Sequence, residues 1–185
     1  TNGSLANISP NLGDFVRTNS EAIIGIKLKK TPSEDFSKGV AISAGFNPDK
    51  NTHIETVRYG KGQTAMALLT TLLPDRNIPL PSFIRWGIAI IRSPFQFIAN
   101  FFPINWAKKT IILLVMQPAD NYLKLGYKSR WWRLGRPSVN SQTSDGEKIP
   151  SHIPIGEKTA ETIIQKRGGS AMTTYMDAIF DIPTT

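Results

Sequence analysis

Thr110-Ile-Ile-Leu-Leu-Val-Met116 is an unbroken apolar run bounded by turn signals. A run this short reads as a central strand covered on both faces. Working outward from it, Glu21 to Lys30 alternates as a strand. Ile24, Ile26 and Leu28 share one face; Glu21, Gly25, Lys27 and Lys29 share the other. Val40, Ile42, Ala44 and Phe46 alternate with Ala41, Ser43 and Gly45, and Asn47-Pro-Asp-Lys-Asn51 is a turn signal. Thr52 to Tyr59 then completes a hairpin over 40–59. Two further strands are expected around Tyr122–Lys128 and Trp132–Gln142, with a turn at Thr143–Glu147.

Helical patterns fill the spaces. Ala65, Met66, Leu68, Leu69, Leu72 and Leu73 predict a helix closed by Pro74. A Pro-rich connector covers 75–82. Ile84, Ile88, Ile91, Phe95, Ile98 and Phe102 recur every three or four residues, predicting one kinked helix or two short ones broken near Pro94. Glu157 to Lys166 is amphipathic, with Ala160, Ile163 and Ile164 inward, and Gly168-Gly169 stops it. The expected fold class is α+β: an antiparallel sheet of about five or six strands with helices packed on one face, in a single domain over 1–185.

Composition narrows the chemistry. The 185 residues contain no cysteine and two histidines, which excludes disulfides, thiolate sites and multi-histidine metal centres. Hydrophobic residues make up 40% and charged residues 19%, so the chain has a core to bury. Twenty-two Lys and Arg against 14 Asp and Glu leave a net charge of +8, with a pI near 9.8. That balance suits an anionic partner, nucleic acid or membrane surface. No basic n-region and apolar h-region open the sequence, so no signal peptide is read. The apolar window Phe83–Trp106 is broken by Arg85, Arg92, Pro94, Gln96, Asn100 and Pro103 and makes a poor membrane span. The sequence points to a soluble or peripherally membrane-associated protein and does not fix its location.

GxGxxG after a strand, GxxxxGK[ST], GxSxG and HExxH are all absent. Three features carry possible chemistry. In Thr52–Tyr59, period two places His53, Glu55, Val57 and Tyr59 on one face. A carboxylate beside a His and a Tyr on a half-buried face is a candidate general base; the alternative is an ordinary exposed strand face. Residues 122–136 interleave Lys124, Lys128, Arg130, Arg133 and Arg136 with Tyr122, Tyr127, Trp131 and Trp132. That pattern fits single-stranded nucleic-acid binding, a membrane-interface patch, or a sheet edge guarded by basic side chains. The stripe from Ile84 to Phe102 fits core burial, a lid over an apolar pocket, or an interfacial helix pair in contact with lipid.

Several strings occur together in order: Val16-Arg-Thr-Asn-Ser-Glu-Ala22, Thr52-His-Ile-Glu-Thr-Val-Arg-Tyr-Gly-Lys-Gly62, Ile112-Leu-Leu-Val-Met-Gln117 with Asp120-Asn121, and Ile182-Pro-Thr-Thr185. Together, from about Leu12 to Thr185, they resemble the cholesterol-oxidase-like branch of the glucose–methanol–choline flavoprotein oxidoreductases, proteins often labelled cholesterol oxidase or choline dehydrogenase. The resemblance implies the substrate-binding domain of a longer chain, an antiparallel sheet roofing a flavin. FAD is then expected in the full-length protein and none in this stretch, which is expected to be inactive alone. The implied partners are a sterol-like hydrophobic alcohol and the FAD domain of the same parent chain, with the 83–106 insertion either a helical lid or a contact to a membrane surface; nucleic acid is disfavoured. Cholesterol oxidases carry a sheet carboxylate that isomerises the steroid double bond, and Glu55 is its positional candidate. Phe46, His53, Val57, Tyr59 and Met116 are the candidate substrate contacts. Neither His53 nor His152 matches the histidine that handles the substrate hydroxyl. A peripheral lipid-binding module without catalysis is the alternative.

Overall fold

The computed structural model describes residues 7–17, 20–118, 122–129, 131, 135–143 and 152–182. Residues 20–118 and 150–185 form one compact unit, and residues 1–19 with 119–149 form another. The larger unit is built on β1 (Glu21–Leu28), β2 (Ile42–Phe46), β3 (His53–Val57), β4 (Thr70–Leu72) and β5 (Thr110–Met116). The smaller holds β6 (Leu123–Ser129) and β7 (Pro137–Thr143); β8 (Gly169–Thr174) returns to the larger. The main sheet runs β2-β3-β5-β1-β8-β4 with every neighbouring pair antiparallel.

The apolar run at 110–116 forms β5, paired to β1 on one side and β3 on the other. Alternation then divides its side chains between two cores. On one face Leu113 and Val115 join Ala22, Ile24, Ile26, Leu28 and Ile54. Helix α4 (Pro154–Arg167) covers that face through Ala160, with Ile163 and Ile164 at its margin. A Cβ at Gly156 would lie 2.6 Å from Val115 Cγ2, so only glycine lets the first turn of α4 approach the sheet this closely. On the opposite face Ile112 and Met172 join Ala67, Trp106 and Ala107. The cover there comes from a 3-10 helix (Lys61–Leu69) and the single turn α3 (Trp106–Lys109). Burying each large aliphatic side chain is worth about 1.5–3 kcal/mol against leaving it in water.

The α+β class, the central strand, the 40–59 hairpin and the sheet size are as the sequence predicts. The break near Pro94 is real and yields two helices, α1 (Ser82–Arg92) and α2 (Pro94–Phe101). Three readings are corrected. The helices cover both faces of the sheet rather than one, because β5 is apolar on both sides. The helix expected over 65–73 ends at Leu69, and Thr70–Leu72 is strand β4, whose β-branched threonines pair with β8. The strands expected at 122–142 do not enter the main sheet; β6 and β7 pair with each other. In their unit Val16 bridges Leu123, and the Phe15 and Tyr122 rings lie 4.7 Å apart. Arg130, Trp132 and Arg133 of the basic-aromatic segment lie outside the described residues, as do Asp120-Asn121, residues 144–147 and 183–185.

The edge of the sheet near β4 and β8 is fastened by charge. Arg76 in the connector donates from Nε to Glu157 on α4 at 2.7 Å. Its Nη2 reaches both oxygens of Asp177 on α5 (Tyr175–Phe180) at 2.6 and 2.7 Å. Asp181, just past α5, lies 3.4 Å from Nη1, and Thr173 donates to Asp177 at 2.7 Å. The Arg76 and Asp177 side chains are each only 5% exposed. Removing one partner of such a buried group strands the others. Arg76→Met should therefore lower stability by about 3–5 kcal/mol in urea unfolding; a loss below about 1 kcal/mol would contradict the fastening role.

His152 sits beside this cluster, its Nδ1 buried with no hydrogen-bond partner among the described residues. Burial, then the Arg76 charge, lowers its pKa below 6.5; Asp181 and Asp177 oppose this and Arg85 adds to it. The unfolded chain takes up this proton near pH 6.5, and the folded chain only at lower pH. The His152 contribution to stability is thus intact above pH 6.5 and falls on acidification through that value towards the folded pKa. Urea midpoints measured against pH should fall less steeply for His152→Gln in that window; parallel curves would refute the assignment.

Candidate functional site

The β3 residues His53, Glu55 and Val57 lie opposite Met116, Leu114 and Ile112 of β5. Directly paired residues project to the same side of a sheet, so Glu55 shares its face with Leu114, Met116 and, through β1, Ile23. This is the face away from α4. The 3-10 helix and α3 cover one part of it, around Val57, Tyr59 and Trp106. Toward Glu55 the cover thins: His53, Glu55, Leu114, Met116 and Ile23 are all half-buried.

Glu55 is positioned locally by a short chain of polar contacts. Its Oε1 lies 3.4 Å from His53 Nε2, with side-chain exposures of 28% and 45%. The other ring nitrogen of His53 lies 2.7 Å from Asn47 Oδ1 in the hairpin turn. If Nδ1 carries the proton and donates it to Asn47, Nε2 is left as an acceptor; when protonated, His53 donates to both neighbours. Gly45, opposite Glu55 on β2, makes room for the ring: a Cβ there would lie 2.9 Å from His53 Cε1. The arrangement provides a carboxylate able to accept a proton, an imidazole beside it and an apolar floor of Leu114, Met116 and Ile23.

Of the predicted substrate contacts, His53, Val57 and Met116 share this face with Glu55. Tyr59 follows beyond the strand end and stacks on buried Trp106, centroids 5.8 Å apart, as part of the core rather than of the open face. Phe46 is not brought to the site: it pairs with Ile54 and so points to the α4 side. The bulge between Ile42 and Ala44 interrupts the simple hairpin alternation. Sequence reading leaves out Asn47 and Gly45. The proximity of the Asn-Pro turn to His53 across the hairpin is the signal that could have found Asn47.

On this face the side chains of Glu55 and His53 stay 28% and 45% exposed. Of three cavities of about 260, 400 and 330 Å³, Glu55 lines none, and Val57 lines the last. Nor do the described residues fit a dinucleotide. The sheet is antiparallel throughout, so the described residues hold no parallel strand–helix–strand unit of the dinucleotide-binding kind, and Gly60-Lys61-Gly62 after β3 opens only a 3-10 helix. Among the described residues no group of three or more His, Cys, Asp or Glu side chains could hold a metal, and no helix is long and apolar enough to cross a membrane.

Gly45→Ala should displace the His53 ring and break its contact with Glu55 while leaving the fold in place. The His53 imidazole NMR resonances should shift in the variant and become insensitive to Glu55→Gln. Unchanged resonances that still respond to Glu55→Gln would contradict the packing argument.

No family model matches the sequence, and no solved structure matches it. Curated relatives do. A protein named cholesterol oxidase from Acinetobacter baumannii is 37% identical over 184 residues, 99% of this chain and 32% of the relative. One of the same name from Mycobacterium tuberculosis is 39% identical over 188 residues, again 99% of this chain and 32% of the relative. The chain is therefore similar, along 99% of its length, to a partial region of proteins named cholesterol oxidase, and spans 32% of the length of those relatives.

Proposed function

We propose that this chain is the substrate-binding part of an FAD-dependent alcohol oxidoreductase acting on a sterol or another bulky hydrophobic alcohol. The observation that carries the reading is the half-buried face on which the Glu55 carboxylate stands over apolar Leu114, Met116 and Ile23, with Glu21 of β1 opposite Met116 on the same face. A rigid polycyclic alcohol presents a flat apolar surface with few polar groups, and such a floor suits it. The similarity to proteins named cholesterol oxidase supports the same substrate class.

An open floor needs a second wall. In this reading residues outside the 185 supply it and hold the flavin, since the residues described here do not fit that group. The flavin supplies the redox chemistry, and this chain supplies substrate binding and one proton transfer. Glu55 removes a proton on one side of the steroid double bond and returns it on the other, leaving atoms and charge balanced. His53, anchored by Asn47, orients the carboxylate. A lipid-binding module without catalysis is the second reading, favoured by the exposed apolar side chains of α1 and α2.

In the full-length protein, Glu55→Gln should slow double-bond isomerisation by roughly 100-fold or more, the usual scale for a general base. Alcohol oxidation should stay within a few-fold of wild type. Unchanged isomerisation would remove Glu55 from the mechanism, and absence of any alcohol oxidation by the wild-type protein would favour the non-catalytic module.

A further inference from the structure

Helix α2 is two-faced in a way its own packing does not explain. Its inner side is satisfied: Phe97 meets the Trp86 ring edge-on at 6.1 Å and the Phe101 ring at 5.2 Å. Trp86 in turn donates from Nε1 to Thr71 of β4 at 2.9 Å. The outer side is left uncovered. Phe95 is 85% exposed, Ile98 53% and Phe102 67%, at the i, i+3, i+7 spacing that aligns them on one helix face. Ile91 before them and Ile104 after them are 80% and 74% exposed. Isolated apolar side chains at a surface are ordinary; three aligned on one helix face, with two more exposed on the flanking segments, call for an explanation.

The stripe runs into a basic groove. Phe102 and Ile104 line a cavity of about 400 Å³ whose other walls carry Lys27 of β1, Lys29 just past its end, and Lys109 at the end of α3. No acidic residue lines it. Among the described residues neither Lys29 nor Lys109 is ion-paired. Lys27 is held in place by its Nζ, which donates to Ala99 O at 3.2 Å and Asn100 Oδ1 at 3.1 Å, leaving a third donor. Burial, followed by repulsion from Lys109, lowers the Lys27 pKa, and an anion in the groove would relieve that repulsion.

We propose that this surface docks on a membrane containing anionic phospholipid, with Phe95, Ile98, Phe102 and Ile104 entering the acyl boundary and Lys27, Lys29 and Lys109 receiving a phosphate headgroup. Charge complementarity selects the occupant: apolar side chains bordered by three cations and no carboxylate match the hydrocarbon–phosphate boundary of a bilayer. The docking is peripheral, and it does not depend on the role assigned to Glu55.

Flotation of the full chain with phosphatidylcholine vesicles, with and without phosphatidylglycerol, tests this. Binding is expected to the anionic vesicles and to be much weaker to the neutral ones. Neutralising one basic residue near an anionic surface weakens binding about fivefold, so the pair Lys29→Gln and Lys109→Gln should weaken it roughly 25-fold. Phe95→Ser with Ile98→Ser should abolish retention. All four side chains lie at the surface or half-buried, and unchanged thermal unfolding of the variants checks the fold. Four results would overturn the proposal: no vesicle binding, equal binding to both compositions, full retention by either variant pair, or saturation by inorganic phosphate at Lys29 and Lys109 without vesicle binding. Self-association without vesicles that Phe95→Ser abolishes would assign the face to a second copy and overturn it too.

Discussion

Strand β5 is apolar on both faces and paired on both edges, and the larger unit is organised around those two demands. Seven register pairs join it to β1 and five to β3. A one-residue slip against either neighbour would exchange Leu113 and Val115 for Ile112 and Leu114 and turn the whole alternation over. The two cores differ, one closed by α4 and the other by Trp106 and the 3-10 helix, so the exchange is costly on both sides. Register is therefore tightly held, and the position of Glu55 follows from it. Opposite Leu114, Glu55 can only stand on the face away from α4.

The consequences for function run along the same sheet. On the β3–β5 side lies a half-buried apolar floor with the Glu55 carboxylate and the His53 imidazole beside each other. On the β8–β4 side the sheet ends at a short strand, and the Arg76 cluster ties connector, α4 and α5 together there. Trp86 fixes α1 to β4, so the helices bearing the exposed stripe are attached to the sheet through a defined contact. In the functional reading, one side of the sheet receives the alcohol and the other presents α1 and α2 to the membrane from which such an alcohol would come.

Legibility in the sequence followed the strength of local pattern. Strands β1 and β5 and the 40–59 hairpin were readable because each alternates or runs apolar between turn residues. The alignment of Glu55 with His53 and Val57 followed from the two-residue period alone. Strand β8 was hidden: Gly-Ser-Ala-Met-Thr-Thr has small residues and begins at the glycine that reads as a helix stop. Its strand character comes from pairing with β1 and β4, which no local pattern announces. The segment 61–72 misleads because alanine, methionine and leucine favour helix locally, whereas Thr70 and Thr71 are drawn into the sheet by β8. The Arg76 cluster joins residues 81 to 105 positions apart, and each is an ordinary surface-type charge in its own stretch. Phe46 shows the limit of counting by twos, since the bulge in β2 intervenes.

The central claim is that the Glu55 side of the sheet, and not the α4 side, is where the alcohol lies. Photo-crosslinking the full-length protein with a diazirine-bearing sterol, followed by peptide mass spectrometry, tests it directly. The account predicts adducts on Ile23, Leu114 and Met116, suppressed by excess unlabelled sterol. Competable adducts confined to Phe46, Ile163 and Ile164 on the α4 side would contradict it.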